Sequence, residues 1–307
     1  MWNNAPHSDL ATPNPMATPT LLLIAYCIAI SGISLLGGML PGWVRMTHTR
    51  MQLVMSLVSG LMLGVAFYHL LPHSIALEGT AHAADAAVWW LMIGLIGMLL
   101  LLRLFHFHQH DFSVEEHSHP DHQCDDHAHS HTRGHAHDHS QMNAAHQLSW
   151  FGLALGLALH TLIDGIALGA VMLTSHEGVG LIGIGVFLAI FLHKPLDAIS
   201  IVTVMEAGGW SRSARTLANV SFALMCPLGA LLFFFGVGDL SSGQNEVVAA
   251  ALAFSAGAFI CIALSDLLPE VHFHSHDRLK LSLAFLIGIA AAYAIGVVEP
   301  AGIHLTH

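Results

Sequence analysis

The chain has 307 residues, of which 54% are hydrophobic and only 9% are charged. Soluble globular proteins have about 25% charged residues, so this composition cannot cover the surface of a water-soluble fold. The formal net charge of −11 repels phosphate and disfavours nucleic-acid binding. The four Cys residues include no CxxC pair, so neither a disulfide framework nor a zinc ribbon is indicated. The composition predicts an all-α integral membrane protein with the lipid bilayer as a partner.

Eight apolar stretches predict the membrane-spanning helices. A bilayer core of about 30 Å requires about 20 apolar residues in a helix. The first 18 residues contain no Lys or Arg, unlike a secretory signal peptide, so we expect the first stretch to be retained. The predicted helices, numbered 1 to 8, cover 19–41, 52–75, 84–105, 148–174, 178–206, 213–236, 246–269 and 279–299.

The basic residues predict the orientation of these helices. Eight of the nine Lys and Arg residues lie in the odd-numbered loops or at their flanks. Short cytoplasmic loops collect Lys and Arg, so both termini are predicted to be extracytoplasmic. The expected location of the protein is the cell (inner) membrane. The resulting regions are a tail (1–18), helices 1–3 (19–105), a cytoplasmic loop (106–147), helices 4–8 (148–299) and a second tail (300–307).

The loop between helices 3 and 4 is rich in histidine and is predicted to be disordered. Residues 106–147 contain 13 His and seven acidic residues, a composition typical of metal-binding tracts. The alternative is an unselected polar linker or a remnant affinity tag, although the alternating His-x-His pattern, mixed with Asp, is unlike a tag. Buffering, sensing and delivery of metal all remain open as roles. The candidate ligands are His127, His129, His131, His135, His137 and His139.

Helices 4 and 5 each carry a His-x-x-x-Asp motif near the predicted midplane. His160 with Asp164, and His193 with Asp197, are spaced so that each pair lies on one helix face. Two facing helices can then supply two nitrogen and two oxygen ligands, which suit Zn²⁺, with Fe²⁺, Mn²⁺ or Cd²⁺ also possible. The alternative is a pair of hydrogen bonds that serve only helix packing. Each carboxylate in hydrocarbon costs about 2.5–3.5 kcal/mol, which favours a metal site.

Helices 2 and 7 share a motif that indicates an internal repeat. Residues 67–74 (FYHLLPHS) and 263–271 (ALSDLLPEV) both place polar residues around Leu-Leu-Pro. The two motifs fall at opposite membrane faces, as in an inverted-topology repeat. Polar residues at helix ends are the alternative interpretation. The four candidate pathway residues are His69 and His73 on the outer side, and Asp266 and Glu270 on the inner side.

Taken together, these features resemble the ZIP family of zinc and iron transporters. The resemblance rests on eight helices, the His-rich loop, the polar motifs of helices 4 and 5, and the sequence motifs CPLGA (226–230) and SAGAF (255–259). The resemblance implies import of a divalent metal, with Zn²⁺ as substrate, into the cytoplasm. It also implies two inverted three-helix repeats, helices 1–3 and 6–8, around helices 4 and 5. A homodimer and an elevator-like sliding motion are further implications.

The resemblance also implies a second metal site, at which this chain departs from the family. Thr161, Lys194 and Cys226 stand where good metal ligands are common in that site. Lys194 is the one basic residue in the middle of a predicted span, where an ionisable group indicates function. We hypothesise that its ammonium group replaces the second metal and pairs with Asp197 or Asp164, which leaves a mononuclear site.

Three rival functions differ in class. A metal exporter of the cation-diffusion type typically has six spans and a cytoplasmic C-terminal domain, which disfavours it here. An intramembrane zinc hydrolase would use bound Zn²⁺ to activate water, but no separate general base is evident. A metal sensor or storage protein would account for the His-rich loop and not for the midplane ligands. A transporter without enzymatic activity is therefore the predicted function.

Overall fold

The fold is described by a computed structural model for residues 17–40, 48–106, 139–174, 183–240, 242–267 and 278–298. Within these ranges the secondary structure is helical, and eight helices are long and apolar enough to cross a membrane. The prediction of an all-α membrane protein with eight spans is confirmed. The sequence positions at both termini and most of the His-rich loop lie outside the described residues.

The eight helices follow the predicted order. Two of them contain a π-helical segment, in which the turn is wider than in an α-helix. The bounds are α1 (Ala17–Met39), α2 (His48–Val65, π-helical Ala66–Leu70 and Leu71–Glu78), α3 (Ala83–His106), α4 (His139–Leu173), α5 (Ile184–Ala207), α6 (Arg212–Gly238), α7 (Gln244–Ile262 with π-helical Ala263–Leu267) and α8 (Arg278–Val298).

Six helix starts lie within four residues of the prediction, and two differ by more than that. Helix α4 begins at His139, so residues 139–147 of the predicted disordered loop are helical. No Gly or Pro interrupts the chain there, and a helix can continue beyond the apolar stretch that hydropathy detects. Helix α5 begins at Ile184 rather than 178 because Gly183 has a φ of 67°, a left-handed conformation that favours glycine.

The main packed helix pairs are consistent with a two-fold internal repeat. Helix α2 packs on α8 and α3 packs on α7, while α4 packs on α6 and α1 packs on α5. Exchanging helices 1–3 with helices 6–8, and α4 with α5, converts each of these pairs into another pair of the set. The pattern supports the inverted repeat, which stays a prediction.

Close backbone contacts through glycine follow the same exchange. Gly60 of α2 lies directly against the carbonyl group of Phe285 in α8, and Gly257 of α7 lies against the carbonyl group of Leu91 in α3. Small residues of this kind let membrane helices approach closely. The reciprocal contacts are Gly288 against Leu57 and Gly94 against Phe254.

The two π-helical segments occupy matching positions in the shared motif. Ala66–Leu70 and Ala263–Leu267 each end immediately before a Leu-Pro dipeptide. Proline cannot donate a backbone hydrogen bond and its ring clashes with the carbonyl group four residues earlier, at Tyr68 or Ser265. A wider turn at that carbonyl relieves the clash, and such π-bulges are frequent at functional sites.

The buried faces of α2 and α7 differ in polarity although their motifs match. The face of α2 that precedes the π-helical segment is polar, and Ser59 Oγ donates a hydrogen bond of 2.8 Å to the carbonyl oxygen of Ala263. At the three matched positions α7 has alanine. The matched positions, counted back from the shared motif, are Gln52, Ser56 and Ser59 in α2 and Ala249, Ala253 and Ala256 in α7, all of them buried.

Replacing Gly60 with Ala is expected to destabilise the protein by about 1–3 kcal/mol, the usual effect of overpacking. The added Cβ would clash with the Phe285 carbonyl group, and backbone cannot move aside as a flexible side chain would. Thermal unfolding of the purified protein in detergent measures the change. The matched control is Gly97→Ala in α3, where a Cβ meets nothing within 4 Å and the change should be within about 0.5 kcal/mol. Equal effects of the two substitutions would contradict the packing described here.

Candidate metal site

The two His-x-x-x-Asp motifs converge between α4 and α5. One ligand atom from each of His160, Asp164, His193 and Asp197 lies within 4.8 Å of the others. The two imidazoles and Asp164 are buried, and the side chain of Asp197 is 11% exposed. The i, i+4 spacing that predicted one face per helix thus produces a single cluster of four side chains. Among the described residues it is the one group of at least three potential protein ligands.

Each of the two imidazole Nε2 atoms lies close to both carboxylate Oδ2 atoms. Nε2 of His193 lies 3.2 Å from Oδ2 of Asp164 and 3.7 Å from Oδ2 of Asp197. Nε2 of His160 lies 3.5 Å and 3.4 Å from the same two oxygens. For bonds of about 2.0–2.1 Å to a tetrahedral ion, adjacent ligand atoms are about 3.3–3.4 Å apart. The four nitrogen–oxygen separations therefore suit ligands of one metal ion.

The orientation of His193 leaves its inner nitrogen available to a metal. Nδ1 of His193 lies 2.7 Å from the carbonyl oxygen of Ala189 one turn earlier, and a carbonyl oxygen can only accept. Nδ1 must carry the proton, so the neutral ring has its lone pair on Nε2, inside the cluster. A backbone carbonyl in this position is the usual outer partner of a metal-binding histidine.

Two buried atoms of the cluster have no hydrogen-bond partner. They are Nδ1 of His160 and Oδ1 of Asp164. Buried polar atoms are paired in the great majority of proteins, and an exception indicates a functional site or a ligand that completes it. The cluster thus has capacity to bind beyond the contacts that its own side chains make.

Lys194 enters the same cluster from α5. Its side chain is 1% exposed, and Nζ donates to Oδ2 of Asp164 at 2.5 Å and to Oδ2 of Asp197 at 3.1 Å. Nζ also donates to Oγ1 of Thr161 at 3.0 Å and lies 5.4 Å from the ring centroid of Phe222. The ammonium group is therefore paired with both of the carboxylates that the sequence left as alternatives.

Of the three positions that the resemblance assigned to a second site, Thr161 and Lys194 contact each other and Cys226 lies on α6. Thr161 lies beside Lys194, and its hydroxyl donates to the carbonyl oxygen of Leu157 at 2.8 Å. Cys226 is a buried free thiol in α6 and is not among the four clustered ligand residues. Its carbonyl group lies against Gly165 of α4, which allows α6 to pack closely behind the site. These positions bring a cation and a hydroxyl group to the site rather than further carboxylates.

Two contributors to the site were missed by the sequence analysis. The Phe222 ring near Lys194 lies on α6, four residues before Cys226, so the i, i+4 rule could have placed it on the same helix face. The Ala189 carbonyl had no sequence signal, because a backbone acceptor is present at every position.

The two described pathway histidines, His69 and His73, are not among the four clustered residues. His69 is buried in the π-helical segment of α2, where its Nε2–H donates to the carbonyl oxygen of Ala292 in α8 at 2.9 Å. His73 lies one turn later, and its Nδ1–H donates to the carbonyl oxygen of His69 at 2.6 Å. Asp266 belongs to the π-helical segment of α7.

The remaining candidate residues fall at or beyond the limits of the described ranges. Glu270 lies outside the described residues. Of the six loop histidines, His139 begins α4 and the others also lie outside the described residues: His127, His129, His131, His135 and His137.

Comparisons with known proteins point to one family. A family model described as "ZIP Zinc transporter" matches residues 20–296. The chain is 37% identical over 130 residues to zinc transporter ZIP9-B of Xenopus laevis, covering 40% of this chain and 42% of that protein. It is 37% identical over 127 residues to zinc transporter ZIP9 of Micropogonias undulatus, covering 40% of each. Zinc transporter ZIP4 of Mus musculus is 26% identical over 265 residues, covering 73% of this chain and 39% of that protein. The matches thus span less than half the length of these curated relatives.

Zn²⁺ is expected to stabilise the folded protein through the cluster. A ligand at 100 times its Kd stabilises by about 2.7 kcal/mol, which raises Tm by several degrees. His193→Gln should lose most of this rise, because it removes one of four ligands. The control is His82→Gln, which removes an exposed imidazole that lies 3.5 Å from Asp85. Tm is measured with and without Zn²⁺, and a full rise in the His193 variant would contradict the assignment.

Proposed function

We propose that this chain, which belongs to the ZIP zinc transporter family, carries divalent metal ions across a membrane through the cluster on α4 and α5. The observation that carries the proposal is the placement of two imidazoles and two carboxylates around one centre, inside helices of membrane-spanning length. Two carboxylates at that depth are costly. Lys194 supplies one positive charge against their two negative charges, and a transported cation accounts for the remaining one.

Zn²⁺ is the proposed principal substrate. Two nitrogen and two oxygen ligands at tetrahedral spacing suit Zn²⁺, and the relatives reported above are named as zinc transporters. Fe²⁺, Mn²⁺ and Cd²⁺ accept the same donor atoms with less preference for this geometry. A ligand set without thiolate also favours release, since soft thiolates would hold Zn²⁺ more firmly.

The geometry disfavours the rival functions. A hydrolytic zinc site keeps an open position for water, whereas four protein side chains here fill all positions of a tetrahedral ion. A cation-diffusion exporter typically has six spans, and eight membrane-length helices are present here. Family membership supports a transporter rather than an enzyme.

Import into the cytoplasm is the proposed direction of transport, and the cell (inner) membrane is the proposed location. The orientation of the helices defines which side is cytoplasmic. Basic residues lie at the start of α2, the end of α3, and the starts of α6 and α8. Helices that cross the membrane alternately bring these four ends to one side, which the positive-inside rule makes cytoplasmic. The termini are then extracytoplasmic. On this topology the His-rich segment 106–147 would be cytoplasmic, on the proposed delivery side.

An elevator-like motion is supported by the grouping of the helices. Helices α4 and α5 pack on α6 and α1, while the pairs α2–α8 and α3–α7 form a second group. Every residue described at the metal site belongs to the first group, so this group can carry the ion as a unit. His69 and His73 on α2, with Asp266 and Glu270 on the opposite side, are proposed as pathway residues on the second group. The homodimer stays a prediction.

Metal uptake is expected to depend on His160 and not on the loop histidines. Purified protein in proteoliposomes should accumulate radioactive Zn²⁺, and His160→Ala should reduce the initial rate by a factor of about 10 or more, as loss of one ligand removes substantial binding energy. The control variant replaces the six candidate loop histidines with Ser. We expect it to retain uptake, because the loop does not form the intramembrane site. Absence of uptake by the unmodified protein would contradict transport, and equal uptake by the His160 variant would contradict the site.

We also propose that the site is mononuclear, because Lys194 takes the place of a second metal. Its Nζ contacts both carboxylates and Thr161. Thr161 stands where the resemblance places a ligand of the second metal. A second divalent ion beside this ammonium group would meet strong repulsion in a low-dielectric environment.

The full chain is expected to bind one metal ion more than a His160→Ala/His193→Ala variant. Both proteins contain the same His-rich loop, so the difference in stoichiometry reports the intramembrane site alone. Equilibrium dialysis with metal analysis measures both. A Thr161→Val/Cys226→Ala variant is expected to bind as many ions as the unmodified chain. A difference of two ions, or a loss in the Thr161/Cys226 variant, would contradict the mononuclear site.

A further inference from the structure

We propose that Lys194 is a tethered counter-cation, which holds the two carboxylates when the transporter is empty and gives them up when metal binds. This inference rests on the proposed transport function and concerns the return of the empty protein. It goes beyond replacement of a second metal, because it gives the ammonium group two alternating positions.

The ammonium group and a bound metal need the same oxygen atoms. Nζ of Lys194 contacts Oδ2 of Asp164 and Oδ2 of Asp197. These are the two oxygens that the imidazole nitrogens of His160 and His193 surround at 3.2–3.7 Å. A divalent ion bound by the four ligands would draw on the same lone pairs and would repel the ammonium group at close range. Metal and Lys194 therefore compete for one set of ligands.

Besides the two carboxylates, the ammonium group has two further partners, Thr161 and Phe222. The Thr161 hydroxyl donates its own proton to Leu157, so its oxygen faces Lys194 as an acceptor. The Phe222 ring provides an aromatic face 5.4 Å from Nζ, within the range of a cation–π interaction. Lys194 can release the carboxylates and keep these two partners. Its displacement by metal then leaves no buried ammonium group without contacts.

The alternation limits the buried charge in both states. Without a cation the two carboxylates would carry two negative charges into an apolar environment, which is strongly unfavourable. Lys194 reduces this to one negative charge in the empty protein. The empty protein can thus return across the membrane with its carboxylates paired, and it does not have to carry metal back.

The test compares two modes of radioactive Zn²⁺ flux in proteoliposomes that contain the full chain. Net uptake is measured into vesicles without internal metal, so the protein must return empty. Exchange is measured into vesicles preloaded with unlabelled Zn²⁺, so the protein can return with metal on its carboxylates. In Lys194→Met, the ratio of exchange to net uptake should rise by about tenfold or more over the unmodified protein, because the empty carboxylates lose their partner.

A second variant tests the alternate position of the ammonium group. Thr161→Val removes the acceptor to which Lys194 retreats, so metal must compete with a more firmly held cation. We expect KM for Zn²⁺ exchange to rise severalfold with a smaller change in Vmax, whereas a purely structural threonine would lower Vmax. This measurement decides the inference if Lys194→Met does not fold.

The outcomes separate this inference from the transport proposal. If the unmodified protein transports Zn²⁺ in neither mode, the proposed function is wrong. If it transports in both modes, an unchanged exchange ratio in folded Lys194→Met overturns the counter-cation alone. An unchanged KM in Thr161→Val likewise overturns it.

Discussion

The ion pairs from Lys194 to Asp164 and Asp197 are the interactions on which the centre of this protein depends. Two carboxylates lie among apolar helices, where removal of the partner of a buried charge typically costs 3–5 kcal/mol. Lys194 is buried as completely as its partners, so each of the three groups needs the others. The two imidazoles approach the same oxygens and make the arrangement able to receive a metal.

The helix packing determines how closely these groups approach. Gly229 of α6 lies against the carbonyl group of Leu162 in α4, and Gly37 of α1 lies against Pro195 in α5. A larger residue at either glycine would push α4 or α5 outward. The nitrogen–oxygen separations in the cluster would then increase, so the small residues behind the site help to set its geometry.

Hydropathy and i, i+4 spacing were enough to predict the eight helices and the four clustered side chains. Both signals are local, since an apolar run and a pair of residues one turn apart are visible in the sequence. The start of α4 at His139 was missed because a helix that leaves the bilayer no longer needs apolar residues. The contact of Lys194 with both carboxylates, and its approach to Phe222, depend on how α4, α5 and α6 pack. That packing is a tertiary property that no local pattern contains.

At three matched buried positions α2 carries polar side chains and α7 carries alanine, so the two helices differ in polarity. In a protein whose halves exchange roles during transport, identical halves would make the outward-open and inward-open conformations equal in free energy. Gln52, Ser56 and Ser59 place amide and hydroxyl groups in α2 where α7 has alanine, so two conformations related by the repeat would differ in free energy. A bias of about 1.4 kcal/mol already changes the ratio of two conformations tenfold. Under the proposed transport function, side chains outside the four-residue cluster would therefore help to set which of the two conformations is more populated.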